Sequence, residues 1–103
     1  MVKCLQCGRE FAAGIKGECA AAISGSIMGD EYTESYYFCD HCGVYTVEVC
    51  YEPFLGEEEV TLQGPVSHAG GDASVTLIKS CPEPWNKKCR CEAHRSYFGE
   101  SLD

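Results

Sequence analysis

The sequence has few basic residues. Eight lysines and arginines stand against sixteen aspartates and glutamates, which gives a formal net charge of -8 at pH 7. Proteins bind a phosphate backbone mainly through lysine and arginine, and an acidic protein repels it. The composition therefore disfavours nucleic acid as a partner, although residues 80–95 are an exception with four basic and two acidic residues.

Long apolar runs are also missing. No segment approaches the roughly 20 apolar residues that a membrane-spanning helix needs, so we expect no membrane association. The first residues, MVKCLQCGRE, contain a cysteine pair where a secretory signal would need an apolar run. We therefore expect a cytoplasmic protein with reduced thiols, and in that compartment spaced cysteine pairs are more often metal ligands than disulfides.

The chain is too short for a large core. Domains of about this size often need disulfides or metal ions, and nine cysteines among 103 residues supply the side chains for either. Because nine is odd, disulfides alone would leave a thiol unpaired. We expect one domain over residues 1–103, with a zinc-ribbon-like pair of cysteine knuckles in 1–52, a β-hairpin or meander in 53–80, and a second metal site and tail in 81–103.

Three segments are rich in β-branched and aromatic residues. VYTVEVCYE at 44–52, VTLQGPV at 60–66 and SVTLIKS at 74–80 are predicted to form strands. SHAGGDA, before the last of them, is predicted to be a loop, and ECAAAISGSIMG a short helix or an irregular excursion. The predicted fold class is a small, metal-stapled, β-rich α+β domain with a three-stranded antiparallel meander and little helix.

Two short motifs, CLQCG and CDHCG, have the same construction. Each places two cysteines three positions apart and follows the second with glycine. Two intervening residues let the chain wrap one ion with both sulfurs, and glycine relieves a turn that a Cβ would crowd. Two such knuckles supply the full tetrahedral shell of a structural zinc ion. The predicted ligands are Cys4, Cys7, Cys39 and Cys42.

These two motifs, with the β-rich GVYTVEV directly after the second, resemble the zinc-ribbon class over about residues 4–52. The resemblance implies a zinc-ribbon fold with zinc bound by the four knuckle cysteines, but no particular activity, because many functions share the motif. The knuckles are also similar to those of rubredoxins, which hold iron with two cysteine pairs. The second knuckle lacks the proline common after the first cysteine in that family, so zinc is favoured and iron is the alternative.

A second set of potential ligands lies near the C-terminus. In an extended segment the sulfurs of Cys89 and Cys91 would point to opposite faces, so they can share an ion only if the chain turns between them. The three positions from Cys91 to His94 fit one helical turn, which places thiol and imidazole on one side. Together with Cys81, these residues predict a zinc site of three cysteines and one histidine.

Residues outside the two quartets have simpler predicted roles. Cys19 and Cys50 are expected to pack in the core as small hydrophobes, because reduced cysteine is among the most buried residue types. They and His68 are the candidate substitutes if a member of the second quartet is not a ligand. Trp85 is expected to cover the second site. An exposed Trp85 would instead indicate a binding patch, since lysine or arginine occupies positions 87, 88 and 90.

The predicted sites favour a non-enzymatic function. A zinc ion with four protein ligands has no open position for water, so its role is structural. The sequence also contains no recognisable acid–base pair. The leading interpretation is a protein-interaction or adaptor module with two structural zinc ions and a protein partner. The alternatives are a rubredoxin-like electron-transfer protein with iron in the first site, a nucleic-acid-binding module and a zinc enzyme.

Overall fold

The structure, a computed structural model, describes residues 2–11 and 19–99. These form an antiparallel sheet whose strands lie side by side in chain order: β1 (Cys19–Ile27), β2 (Asp30–Cys39), β3 (Val44–Glu52) and β4 (Glu59–Ser67). Two helices follow, α1 (His68–Lys79) and α2 (Glu92–Phe98). Within the described residues, neither helix has the length and apolar character needed to cross a membrane.

Strand β3 has the alternation that its sequence predicts. Tyr45, Val47 and Val49 are buried together on one face, where they join the larger core. β2 pairs with β3 from Glu31 to Cys39, with Cys39 opposite Val44 at one end. The pairing therefore places Cys39 at the turn between the two strands, beside the rest of the second knuckle.

A hydrophobic core lies on each face of the sheet. The larger core packs the two helices against the strands, and its buried members are Ile23, Tyr36, Tyr45, Val47, Val49, Val75 and Ile78. The smaller core holds the N-terminal segment, and its buried members are Val2, Cys4, Phe11, Tyr37 and Cys39. Adjacent residues of β2, Tyr36 and Tyr37, thus serve opposite faces, as the two-residue period of a strand requires. Of the cysteines of the first predicted site, Cys4 and Cys39 belong to the smaller core, Cys42 packs against it, and Cys7 is exposed.

Strand β1 corrects the prediction of a helix or irregular excursion. Residues 19–27 form a strand paired with β2, and residues 12–18 lie outside the described part of the chain. Alanine and glycine have low β propensity, so the local sequence does not indicate a strand. Pairing with β2 and the burial of Ile23 against the helices decide the conformation. Gly25 also admits the ring of Phe98, which would lie 2.6 Å from an added Cβ.

Helix α1 shows that the predicted third strand at 74–80 is wrong, as is the predicted loop before it. The hydroxyl oxygen of Ser67 caps the helix by accepting a hydrogen bond from a backbone N–H of the first turn. The buried residues Gly71, Val75 and Ile78 are spaced by four and three positions, which places them on one helical face. Packing of that face outweighs the β propensity of valine and threonine. The antiparallel meander of the described residues has four strands, not the predicted three.

The close approach of α1 to the sheet gives a testable prediction. A Cβ added to Gly71 would lie 2.0 Å from the buried ring of Tyr45, whose hydroxyl donates a hydrogen bond to Asp72. We expect Gly71→Ala to lower the free energy of unfolding by about 1–3 kcal/mol, as overpacking does. Gly70→Ala is the control, because the atom nearest to its Cβ would be the Ser67 hydroxyl oxygen at 2.9 Å and it would meet no ring. Equal urea midpoints for the two variants would contradict this packing.

Candidate metal centres

The first cluster is built from two tight turns. The N–H of Gly8 donates to the carbonyl oxygen of Cys4 at 2.8 Å, and the N–H of Gly43 donates to that of Cys39 at 2.8 Å. Gly8 and Gly43 have φ values of 80° and 69°, in the left-handed region that glycine adopts without strain. An added Cβ would meet nothing within 4 Å at either position. Backbone conformation therefore requires glycine here, and the predicted crowding is not the reason.

The sheet holds the N-terminal turn in place. The N–H of Leu5 donates to Oγ1 of Thr46 in β3 at 3.2 Å. Val2 and Phe11 are buried on the same face, and the Phe11 ring lies 5.5 Å from the ring of Tyr37. These contacts bring the first cysteine pair over the turn between β2 and β3, which contains the second pair.

Four sulfur atoms converge at this point. Cys4 Sγ lies 3.9 Å from Cys42 Sγ, Cys7 Sγ lies 3.8 Å from Cys39 Sγ, and all four lie within 4.8 Å of one another. A tetrahedral ion with metal–sulfur bonds of about 2.3 Å would separate its sulfurs by about 3.8 Å. All nine cysteines of the chain are free thiols. The four are consistent with zinc-ribbon-like knuckles and can hold a metal ion.

The backbone of both knuckles favours thiolates. Burial opposes ionisation of Cys4, but hydrogen bonds from the N–H groups of Cys7 and Gln6 outweigh it and lower its pKa to about 7. The N–H of Cys42 likewise lowers the pKa of Cys39. Burial and the neighbouring thiols raise the pKa of Cys42 to about 12. Without a cation the cluster retains protons that a metal ion would displace.

The second cluster is formed by the segment that follows α1. Cys81 follows Ser80, the C-cap of α1, and the sulfur of Cys91 caps α2 by accepting a hydrogen bond from the N–H of His94. Between them, hydrogen bonds from the N–H groups of Asn86 and Cys89 close two consecutive turns. The chain reverses, and the sulfurs of Cys89 and Cys91 lie on the same side, as a shared ion requires.

The separations in this cluster also suit a metal ion. Cys81 Sγ lies 3.7 Å from Cys89 Sγ and 3.4 Å from Cys91 Sγ. His94 Nδ1 lies 3.2 Å from the sulfur of Cys81 and 3.5 Å from that of Cys91. A tetrahedral ion bonded to sulfur at about 2.3 Å and to nitrogen at about 2.1 Å would set about 3.8 Å between sulfurs and about 3.6 Å between sulfur and nitrogen. All four ligand atoms lie within 4.8 Å of one another.

The ring of His94 is fully buried and has a defined orientation. Its Nε2 lies 2.9 Å from the carbonyl oxygen of Ser24 in β1. Because a carbonyl oxygen only accepts hydrogen bonds, Nε2 bears the proton and Nδ1 presents its lone pair to the thiols. Metal-binding histidines are typically oriented by such a second hydrogen bond. Ser24 was not among the predicted site residues, since a backbone carbonyl leaves no signal in the sequence.

Ser24 also links the cluster to the edge of the sheet. Its N–H donates to the carbonyl oxygen of Pro84 at 2.8 Å, beside the bond that its own carbonyl accepts from His94. The Phe98 ring stacks near His94 with centroids 6.2 Å apart, against Gly25 of β1. The C-terminal segment is therefore attached to β1 through both backbone groups of one residue.

The thiols of the second cluster differ in acidity. Burial opposes ionisation of Cys91, but hydrogen bonds from the backbone N–H of His94 and from the neighbouring thiols outweigh it and lower its pKa to about 6. Burial raises the pKa of Cys81 to about 12. Without a metal ion, Cys91 therefore favours the thiolate, whereas Cys81 keeps a proton that a cation would displace.

His68 and Cys19 are members of neither quartet. His68 is exposed on α1, where its Nε2 lies 3.0 Å from Oδ2 of Asp72. Cys19 is half-buried, and its thiol donates to the carbonyl oxygen of Ala21 at 3.4 Å. Neither residue replaces a member of the second quartet.

Cys50 belongs to a third group of ligand-type atoms, with Glu52 and Glu58, that lie within 4.8 Å of one another. Burial and the charge of Glu58 raise the pKa of the Cys50 thiol. Its surroundings therefore favour the protonated thiol, whereas backbone N–H groups lower the pKa of one or more thiols in each quartet.

The chain matches no protein-family model, no curated protein and no solved structure. The interpretation of the two clusters therefore rests on their own geometry and chemistry.

The two quartets predict which cysteine substitutions reduce the number of bound metal ions. Cys39→Ser and Cys91→Ser should each cost one bound metal ion per chain, because each removes a sulfur from a complete quartet. Cys19→Ser makes the same atomic change outside the quartets and should retain the full content. Mass spectrometry under native conditions counts the ions. Equal metal loss in Cys19→Ser, or none in the other two variants, would contradict the assignment.

Proposed function

We propose that this protein is a small zinc-binding module in which two structural zinc ions hold a surface in place for a partner protein. The observation on which the proposal rests is the orientation of His94. Its Nε2–H donates a hydrogen bond to the Ser24 carbonyl oxygen, while Nδ1 faces the thiols of Cys81 and Cys91. The proposed ligands are Cys4, Cys7, Cys39 and Cys42 for the first ion, and Cys81, Cys89, Cys91 and His94 for the second.

The donor set supports zinc over other cations. Zinc in structural sites takes four cysteines, or three cysteines and a histidine, in tetrahedral geometry. Calcium and magnesium prefer oxygen ligands, and neither quartet contains one. Iron also accepts four thiolates, which leaves it as the alternative at the first quartet, but the imidazole nitrogen of the second quartet suits zinc.

Both ions would have a structural role. Each quartet supplies four protein ligands, which fills a tetrahedral shell and leaves no position for a reacting water molecule. Cys4, Cys39, Cys81 and His94 are buried as well. A zinc enzyme would need an open ligand position, so this arrangement favours a structural module.

The ions would cross-link parts of the chain that lie far apart in the sequence. The first would link the segment at 2–11 to the turn between β2 and β3, and the second would link the ends of α1 and α2 to the loop at 81–91. The free energy of metal binding then contributes directly to folding, because the unfolded chain has no preformed site.

Charge and exposure favour a protein as the partner. A zinc ion with four thiolates adds a net charge of about -2, and one with three thiolates and neutral imidazole adds about -1, so the bound ions would make the charge more negative than -8. Such a field disfavours phosphate backbones. Large exposed apolar side chains support a protein interface. They include Met28, Phe54, Leu55 and Trp85.

Elemental analysis tests the metal assignment. Protein expressed with zinc and iron both available should contain two zinc ions per chain and be colourless, because both quartets suit zinc. A red protein with thiolate-to-iron absorption would contradict zinc at the first quartet. One zinc per chain, retained in Cys91→Ser, would contradict the second site.

Chelation tests the structural role. Removing zinc with a strong chelator should abolish the cooperative thermal transition, because metal binding and folding form one equilibrium in small metal domains. Adding zinc back should restore the transition, and magnesium, which prefers oxygen ligands, should not. A metal-free chain that keeps the same transition would refute the account.

A further inference from the structure

The loop between Cys81 and Cys89 presents an exposed tryptophan. Trp85 is 69% exposed, so the prediction that it covers the second cluster is wrong. It is the only tryptophan in the chain. It forms one wall of a surface pocket of about 310 Å³, beside the paired β1 and β2 residues Ser26 and Glu31. That volume is at the small end of the range for ligand sites, and it suits a side chain of a docked peptide.

Two cations close to this tryptophan in the sequence lack a carboxylate partner. Lys87 is paired with Glu31, which also raises its pKa. Lys88, which lines the pocket, and Arg90 are exposed, and within residues 2–11 and 19–99 neither forms a salt bridge. The Nη1 group of Arg90 instead donates to the carbonyl oxygens of Lys87 and Cys89 at 3.5 and 3.3 Å. The guanidinium is thus held against the loop with its charge uncompensated.

The second cluster fixes the shape of the loop. Cys81 and Cys89 lie at its two ends with their sulfurs 3.7 Å apart. In the middle, the carbonyl oxygen of Pro84 accepts a hydrogen bond from β1, and Oδ1 of Asn86 accepts one from the backbone N–H at position 88. Because the loop is ordered before a partner binds, ordering it costs the complex little.

We propose that Trp85, Lys88 and Arg90 form a docking site for an acidic peptide segment of a partner protein. A leucine or phenylalanine of the peptide packs on the indole, and its carboxylates pair with the two cations. The site rests on the proposed function, since the second zinc ion closes the loop that presents it.

Charge complementarity selects this occupant. In a chain with a net charge of -8, residues 80–95 have two more basic than acidic side chains, and the two uncompensated cations lie within this segment. Single-stranded nucleic acid also stacks on aromatic rings, but it needs a basic groove that follows the phosphate backbone. Two free cations, one of them in the same pocket as Glu31, do not form such a groove. They are sufficient for one or two carboxylates of a peptide.

Selection from random peptides identifies the ligand chemistry without a known partner. Short random peptides displayed on phage and selected on the zinc-loaded protein should be enriched in sequences that combine Asp or Glu with Leu or Phe. A synthetic peptide of that consensus, free of tryptophan, should shift the emission of Trp85 to shorter wavelength as the indole leaves water. Because the chain has no other tryptophan, the shift reports on this site alone.

Variants then locate the binding surface. Fluorescence anisotropy of the labelled peptide should show affinity reduced about tenfold or more in Trp85→Ala and in Lys88→Glu, as expected for an aromatic anchor and its charged neighbour. Lys79→Glu is the matched control. It reverses the same charge at an exposed lysine outside the pocket and should leave affinity unchanged.

Several outcomes would overturn the docking site. These are no enrichment, enrichment of peptides without acidic residues, equal affinity in Lys88→Glu and Lys79→Glu, or tighter binding of a single-stranded oligonucleotide that is lost in Trp85→Ala. The zinc content of each preparation separates the two proposals. Two zinc ions without peptide binding refute the docking site alone. Protein without zinc refutes the proposed function, and the same peptide measurements still decide the docking site.

Discussion

Crowded thiols impose the constraint on which the rest of the molecule depends. In each quartet the ligand atoms lie within 4.8 Å of one another, and sulfurs this close cannot all ionise without a cation between them. The pKa values express the conflict, at about 7 for Cys4 against about 12 for Cys42, and about 6 for Cys91 against about 12 for Cys81. A bound cation would turn this repulsion into a cross-link that holds the segments outside the sheet in position.

The two quartets hold different parts of the chain against the sheet. Its smaller core and the first quartet hold the N-terminal segment on one face, while the second quartet attaches the C-terminal loop to the edge of β1. Along β2, the extended chain from Glu31 at the Trp85 pocket to Cys39 at the first quartet covers roughly 26 Å, at about 3.3 Å per residue. The first proposed ion therefore serves stability, and the second also shapes the proposed docking loop.

The structural features that could be predicted from the sequence are those that depend on a few neighbouring residues. The spacing from Cys91 to His94 predicted a helical turn that α2 confirms, and the alternation of β3 predicted its strand. Strand β1 and helix α1 depend on packing between distant segments. Glycine usually interrupts regular structure, so Gly25 and Gly71 locally disfavour a strand and a helix. In the fold, however, the ring of Phe98 packs against the backbone at Gly25 and the ring of Tyr45 packs against it at Gly71. The spacing of residues 71, 75 and 78 could have indicated helix α1. No feature of the sequence indicates the Ser24 carbonyl that orients His94.

X-ray absorption spectroscopy at the zinc edge of the purified protein tests the central claim most directly. The account predicts seven sulfur ligands and one nitrogen ligand shared between two zinc ions, with sulfur at about 2.3 Å and nitrogen at about 2.0–2.1 Å. A shell of sulfur alone would exclude His94 as a ligand. An oxygen ligand from water would show an open coordination position and would contradict two closed structural sites.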